Sequence, residues 1–133
     1  MNRVVVDTNI VSYVFKKHAI ADRYRRHLHG RVLSISFMTL AELYRWAYER
    51  NWGEKRREEL QFHLRNYVLI PFEKDLCALW ARIVAESRKA GRSVSHSDAW
   101  IAASALRYEA PLVTHNPRHF ESVPGLELIS ESP

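Results

Sequence analysis

Three carboxylates in this sequence, Asp7, Glu42 and Asp98, have surroundings that favour metal-binding or acid–base chemistry. Asp7 directly follows the three valines at residues 4–6, which predict a buried strand. Glu42 and Asp98 each lie early in a predicted helix. Asp98 shares the core-facing stripe of its helix, because apolar residues recur three, four, seven and eight positions after it. A carboxylate on that face is costly unless it is paired, hydrogen-bonded or bound to a metal ion.

Each of these acids also has a purely structural interpretation. Asp7 can cap the helix that follows it, an interaction worth about 1 kcal/mol. Glu42 lies three residues after Thr39 and Asp98 lies three residues after Ser95, so both pairs match the Ser/Thr-x-x-Asp/Glu capping box. This interpretation is weaker for Glu42, because its helix is expected to begin before Thr39 and Glu42 would then lie beyond the first turn.

Three carboxylates that converge in one pocket repel one another and raise each other's pKa. A divalent cation removes that conflict, and ligation by oxygen atoms alone favours Mg²⁺ or Mn²⁺ over zinc. Thr114 follows the last strongly buried strand, where its hydroxyl could orient a water molecule or a phosphate. A threonine that caps the turn after a strand is the structural alternative for this residue.

Short predicted strands alternate with helices along the chain. We expect strands at residues 3–6, 32–35, 68–70, 111–113 and 126–129. We expect helices at residues 8–17, 18–28, 37–51, 54–67 and 97–108, and a further one through residues 76–84 that ends before Gly91. This order predicts an α/β fold with a central, mostly parallel sheet, whose ligands bind at the carboxyl ends of the strands. No repeat or linker-like stretch is present, so we expect one domain over residues 1–133.

The charge of the chain favours a polyanionic partner. Twenty Lys and Arg against fifteen Asp and Glu give a formal net charge of +5, and the pI is about 9.6. A basic surface attracts nucleic acid because each phosphate contact releases counterions. No stretch approaches the roughly 18 apolar residues of a membrane span, so we expect no membrane association. The single cysteine, Cys77, cannot form an intramolecular disulfide, and a reducing, cytoplasmic location is expected.

Together these motifs resemble the PIN domain, and most closely the VapC-type toxins of prokaryotic toxin–antitoxin pairs. The resemblance runs from Arg3 to about Ile129, with the motifs in the order found in that family. The matching segments are VVVDTN at 4–9, TLAEL at 39–43, DAWIAA at 98–103, LVTHN at 112–116, HF at 119–120 and PGL at 124–126.

The resemblance implies a Rossmann-like PIN domain and an endoribonuclease that requires Mg²⁺ or Mn²⁺. By position in the motifs, Asp7, Glu42 and Asp98 correspond to the acidic metal-site residues of the family. Thr114 corresponds to the hydroxyl residue beside them, and Asn116 completes the candidate catalytic set. The resemblance also implies an RNA substrate, a homodimer, and a small antitoxin protein that inserts into or near the active-site groove.

The sequence departs from the family at two of these positions. The family often has aspartate where this chain has Asn116, and frequently an acid where it has His119. An amide can bind a metal ion or orient a water molecule, but it carries no charge. We therefore expect one firmly held metal ion, and the presence of a second stays open. His115 and His119 have the four-residue spacing of a helical metal site, although Pro117 between them disfavours a regular helix.

Two other functions are compatible with parts of the sequence. A strand followed by Asp7 also resembles the start of the haloacid-dehalogenase-like phosphatases, in which the aspartate is phosphorylated. That interpretation is weaker, because Asn9 replaces the second acid of their motif and no lysine lies near Thr114. The other alternative is a non-catalytic nucleic-acid-binding module, in which the acids only cap helices. Arginines such as Arg25 and Arg56 are expected on solvated faces.

Overall fold

A five-stranded parallel sheet forms the centre of the computed structural model, which describes residues 2–133. Its strands are β1 (Arg3–Val6), β2 (Val32–Ser36), β3 (Val68–Ile70), β4 (Leu112–Val113) and β5 (Leu128–Ile129). They lie in the order β3-β2-β1-β4-β5, and every adjacent pair is parallel. The predicted fold class, an α/β Rossmann-like sheet flanked by helices, is confirmed.

Helices cover both faces of this sheet. The α-helices are α1 (Thr8–Phe15), α2 (Arg25–Leu28), α3 (Phe37–Glu49), α4 (Glu54–Leu64), α5 (Lys74–Lys89) and α6 (His96–Arg107). Two 3₁₀ segments, Ala19–Tyr24 and Pro117–His119, complete the regular structure of residues 2–133. Within the described part of the chain, no helix combines the length and apolar character required to cross a membrane.

One predicted helix is wrong over its first half. Residues 18–28 were expected to form one α-helix, but Ala19–Tyr24 is 3₁₀ and only Arg25–Leu28 is α-helical. The physical reason is the burial of Ala21 and Tyr24, which are three residues apart. A 3₁₀-helix has three residues per turn and therefore places both side chains on the same line, toward the core.

The strand order creates a topological switch point between β1 and β4. The chain runs from β1 outward to β2 and β3, and then crosses back to β4 on the other side of β1. Such a reversal opens a crevice beyond the carboxyl ends of the two central strands. Val6 is paired in register with Val113, so the residues that directly follow them, Asp7 and Thr114, are neighbours at this crevice.

Alternating side chains of the central strands contribute to two separate parts of the core. Val5 packs with residues of α5 and α6, including Leu76 and Ala102. Val4 and Val6 belong to the cluster on the other face, which contains buried residues of α1, α4 and the first 3₁₀ segment. The strand period of two therefore explains why three consecutive valines are all buried.

Candidate active site

Asp7 is the buried acid of the crevice, with 5% of its surface exposed. Its Oδ1 accepts a hydrogen bond from the Thr8 backbone N–H at 2.8 Å, and its Oδ2 accepts one from the Thr114 hydroxyl at 2.7 Å. Burial raises the pKa of Asp7 to about 6, although both hydrogen bonds act in the opposite direction. The negative charges of Asp98 and Glu42 raise this pKa further. The three predicted acids are therefore close enough to influence one another electrostatically.

The capping interpretation of Asp7 is also part of the structure. Asp7 is the N-cap residue of α1, and the Thr8 amide is the donor that it caps. This role occupies Oδ1, whereas Oδ2 contacts a hydroxyl from a different strand end. Capping a helix and taking part in a site are thus compatible functions of the same carboxylate.

Glu42 is joined to the crevice through threonine hydroxyls. The Thr8 hydroxyl donates to Glu42 Oε1 at 2.8 Å and lies 2.9 Å from the Thr39 hydroxyl. Because a hydroxyl has one proton, Thr39 is the donor in that second contact. Burial raises the pKa of Glu42, the hydrogen bond from Thr8 lowers it, and the charge of Asp98 raises it again.

The capping-box interpretation of Glu42 is wrong. The helix α3 begins at Phe37, and its N-cap is Ser36, whose hydroxyl oxygen accepts from the Met38 amide at 3.0 Å. Glu42 therefore lies beyond the first turn, as its sequence position suggested. Its carboxylate is bonded to the side chain of another element rather than to an amide at the start of α3.

Asp98 lies in the first turn of α6, and its helix is capped by Ser95. The Ser95 hydroxyl accepts a hydrogen bond from the Asp98 amide at 3.1 Å, which is one half of a capping box. The carboxylate of Asp98 has a different partner, since its Oδ2 lies 3.4 Å from Nδ1 of His119. The side chain of Asp98 is 22% exposed, so it remains accessible at the surface of the crevice.

Thr114 has the structural role considered for it, and its hydroxyl also contacts Asp7. Its side chain is fully buried, and the hydroxyl that donates to Asp7 also accepts from the Asn116 amide at 3.0 Å. Thr114 therefore orients the acid and closes the turn after β4. Asn116 reaches the site through this backbone contact and is partly buried. His115 and His119 have separate partners, Tyr24 and Asp98, and they do not form a pair.

Two polar residues of this network, Thr8 and Thr39, were not predicted as site residues. Thr8 stands directly after Asp7 in the sequence, and a hydroxyl between a strand end and a helix is a signal that could have identified it. Thr39 was considered only as a capping residue. Their roles depend on α1 meeting α3, which is a tertiary contact that residue spacing alone does not reveal.

The donor atoms of the crevice suit a hard divalent cation. Asp7, Glu42 and Asp98 supply only oxygen ligands, and a cation would offset the burial and the mutual repulsion that raise the pKa of Asp7 and of Glu42. As placed, no three His, Cys, Asp or Glu side chains among residues 2–133 are grouped closely enough to enclose one ion. Mg²⁺ commonly uses one or two carboxylates and keeps several water ligands, so such an open arrangement is compatible with it.

Comparisons with known proteins match nearly the whole chain. A family model described as PIN domain matches residues 4–126. Ribonuclease VapC1 from Haemophilus influenzae strain R2866 is 33% identical over 126 residues, which cover 92% of this chain and 93% of that protein.

Two solved structures extend the likeness to three dimensions. VapBC2 from Rickettsia felis, bound to a DNA fragment from its promoter, is similar with a TM-score of 0.85 and 25% identity, covering 96% of this chain and 98% of that chain. VapBC-1 from nontypeable Haemophilus influenzae is similar with a TM-score of 0.82 and 28% identity, covering 96% and 97%.

Proposed function

This chain belongs to the PIN domain family, and we propose on that premise that it is an endoribonuclease, the toxin of a type II toxin–antitoxin system. It hydrolyses phosphodiester bonds of RNA and depends on a divalent cation, Mg²⁺ or Mn²⁺. The observation that carries the proposal is Asp7, which lies buried beside two further acids: burial raises its pKa to about 6, and the charges of Asp98 and Glu42 add to that effect. Support also comes from Ribonuclease VapC1, which is 33% identical over nearly its full length.

We assign Asp7 and Asp98 to the binding of the cation, with Glu42 completing the acidic shell. When bound, the cation supplies positive charge against the phosphoryl oxygens of the substrate. Glu42 positions the attacking water molecule and accepts its proton. The raised pKa of Glu42 supports this role, because a carboxylate with a raised pKa is a stronger base.

The hydroxyl and amide groups of the crevice hold these acids in place. Thr114 fixes Oδ2 of Asp7, and Thr8 fixes Oε1 of Glu42, so neither carboxylate turns freely. Thr39 in turn orients the Thr8 hydroxyl. We assign Asn116 to the same site as an uncharged group that orients water or substrate. Because these polar groups are already in position, less of the active site has to rearrange when the transition state forms.

We further propose a small antitoxin protein as the partner, a homodimer as the assembly, and the cytoplasm as the location. The antitoxin is supported by the likeness to two VapBC structures, each matched over nearly its whole length. Residues 1–133 are proposed to act as a single PIN domain, since the family model spans residues 4–126.

Cleavage of total cellular RNA tests the proposed activity. The wild-type chain is expected to cut RNA at defined positions when Mg²⁺ or Mn²⁺ is present, and chelation of the metal is expected to abolish cutting. Asp98→Asn should lower the rate of RNA cleavage by at least about a hundredfold, because it deletes a charged metal ligand. Asp75→Asn is the matched control, since Asp75 is an exposed acid of α5 outside the crevice. Cleavage that survives both chelation and Asp98→Asn contradicts the proposal.

A further inference from the structure

A basic cavity of about 910 Å³ lies at the opposite end of the strands from the carboxylates. Its walls include Arg31, which directly precedes β2, and Tyr67, which directly precedes β3. The strands are parallel, so these residues stand at the amino ends of the sheet, whereas Asp7 and Thr114 follow the carboxyl ends. The cavity is therefore separate from the candidate active site.

The charge of this basic cavity is not balanced by its own acids. Its charged lining residues are Lys17, Arg25, Arg26, Arg31 and a single carboxylate, Asp22, accompanied by three histidines. Asp22 pairs with Arg25 at 2.8 Å, and Arg26 pairs with a glutamate of the C-terminal segment at 2.6 Å. Lys17 and Arg31 have no acidic partner among residues 2–133. An anion would therefore find two uncompensated cations in this cavity.

A neighbouring cluster, Lys16, Arg50 and Arg56, extends the same positive surface. Partial burial lowers the pKa of Lys16, and the charges of Arg50 and Arg56, which lie near it, lower this pKa further. The Arg56 guanidinium lies 4.3 Å from the ring centroid of Phe15, and that ring contacts His63 at 5.6 Å. His63 lines the basic cavity, so the cluster lies next to the cavity through the ring of Phe15.

We propose that this surface is a second RNA-binding site, which holds the phosphate backbone of the substrate away from the point of cleavage. The inference rests on the proposed ribonuclease function. Phosphate groups are the anions that such a substrate presents repeatedly, and each contact with Lys or Arg releases counterions. Because cavity and carboxylates lie at opposite ends of the strands, an RNA contacts both only if it spans that distance. A strand too short to span it contacts only one of them.

Salt-dependent binding of two RNAs tests this site. Unfractionated transfer RNA and a short single-stranded oligonucleotide are titrated against the full chain carrying Asp98→Asn, which prevents cleavage. Adding Lys17→Gln and Arg31→Gln should lower the slope of log affinity against log salt for transfer RNA by about 1 for each cation removed. The affinity for transfer RNA should fall several-fold more than the affinity for the short oligonucleotide.

The control is the pair Lys74→Gln and Arg82→Gln, which removes the same charge from exposed positions of α5. An equal loss in the control, or an unchanged slope in the Lys17→Gln and Arg31→Gln chain, overturns the second site. Thermal unfolding of each chain verifies that the fold is intact. A wild-type chain that cuts no RNA contradicts the ribonuclease function instead, and the comparison of transfer RNA binding still reports on the cavity.

Discussion

The environment of Asp7 combines two opposing effects on one carboxylate. Burial and the nearby charges of Asp98 and Glu42 favour the protonated form, whereas the hydrogen bonds from Thr8 and Thr114 favour the ionised form. The first effects are larger, so the pKa is raised to about 6. Without a cation, an ionised Asp7 is therefore a local source of instability near neutral pH. A buried carboxylate that destabilises the fold when ionised, and that can bind a metal ion, is characteristic of a functional site.

We predict that Asp7→Asn makes the metal-free protein more stable at pH 7 while removing its activity. Asp7 has its ordinary pKa of 3.8 in the unfolded chain and about 6 in the folded one. The folded state therefore binds the proton more tightly, and stability falls as pH rises through this window. The difference corresponds to about 3 kcal/mol at neutral pH, and the variant avoids part of that cost.

Urea unfolding at several pH values, with a chelator present, measures this effect. The variant should exceed the wild type by about 1 to 3 kcal/mol at pH 7, and the two should converge near pH 4. Asn at this position keeps a side-chain acceptor for the Thr8 amide, so the cap of α1 is retained. A variant that is less stable than the wild type at pH 7 would show that Asp7 is a structural acid.

At the scale of elements, the 3₁₀ segment Ala19–Tyr24 ties the end of β4 to the C-terminal residues. The buried Tyr24 hydroxyl lies 2.5 Å from His115 Nδ1, and the Glu131 amide donates to it at 3.0 Å. The same hydroxyl donates to the carbonyl oxygen of Thr114 at 3.3 Å. Through Thr114, this side chain supports the turn that presents a hydroxyl to the buried acid.

We predict that Tyr24→Phe lowers the free energy of unfolding by about 1 to 3 kcal/mol, because it leaves buried polar groups without their partner. Amide exchange at Glu131 should accelerate, since its hydrogen bond to the hydroxyl is lost. Chemical denaturation and hydrogen exchange provide the two measurements. Tyr108→Phe is the matched control, because Tyr108 is 41% exposed and its loss should change stability little. Equal stability of the two variants would mean that the Tyr24 hydroxyl contributes nothing.

The elements differ in how far residue patterns can predict them. The strands were predictable because short apolar runs alternate with helical segments, and the strand ends at Asp7 and Thr114 identified the edge of the site. The segment Ala19–Tyr24 was wrongly predicted as α-helix, since its burial follows a period of three rather than 3.6. The roles of Thr8 and Thr39 were not predictable either, because they depend on how closely α1 and α3 approach.

At the scale of the whole molecule, the candidate active site and the basic cavity lie at opposite ends of the strands. Asp7, Glu42 and Asp98 lie beyond the carboxyl ends. Lys17 and Arg31, which have no acidic partner among residues 2–133, line the cavity at the amino ends. The net charge of +5 is therefore not uniform over the surface. The positive net charge attracts a polyanion to the molecule as a whole, whereas a divalent cation is attracted to the carboxylates of the crevice. A cation bound in the crevice would reduce the repulsion between its carboxylates and a phosphate.

Metal binding can be measured through the stability of the entire domain, because a cation that binds only the folded chain raises its free energy of unfolding. We predict that Mn²⁺ raises the free energy of unfolding of the wild type by about 2.7 kcal/mol when its concentration is one hundred times the dissociation constant. The increase should disappear in both Asp7→Asn and Asp98→Asn, and it should persist in Asp75→Asn, whose acid lies outside the crevice. Thermal unfolding across a Mn²⁺ titration is the measurement. A shift that is equal in all four proteins would place the metal elsewhere, and no shift in the wild type would favour a non-catalytic binding module.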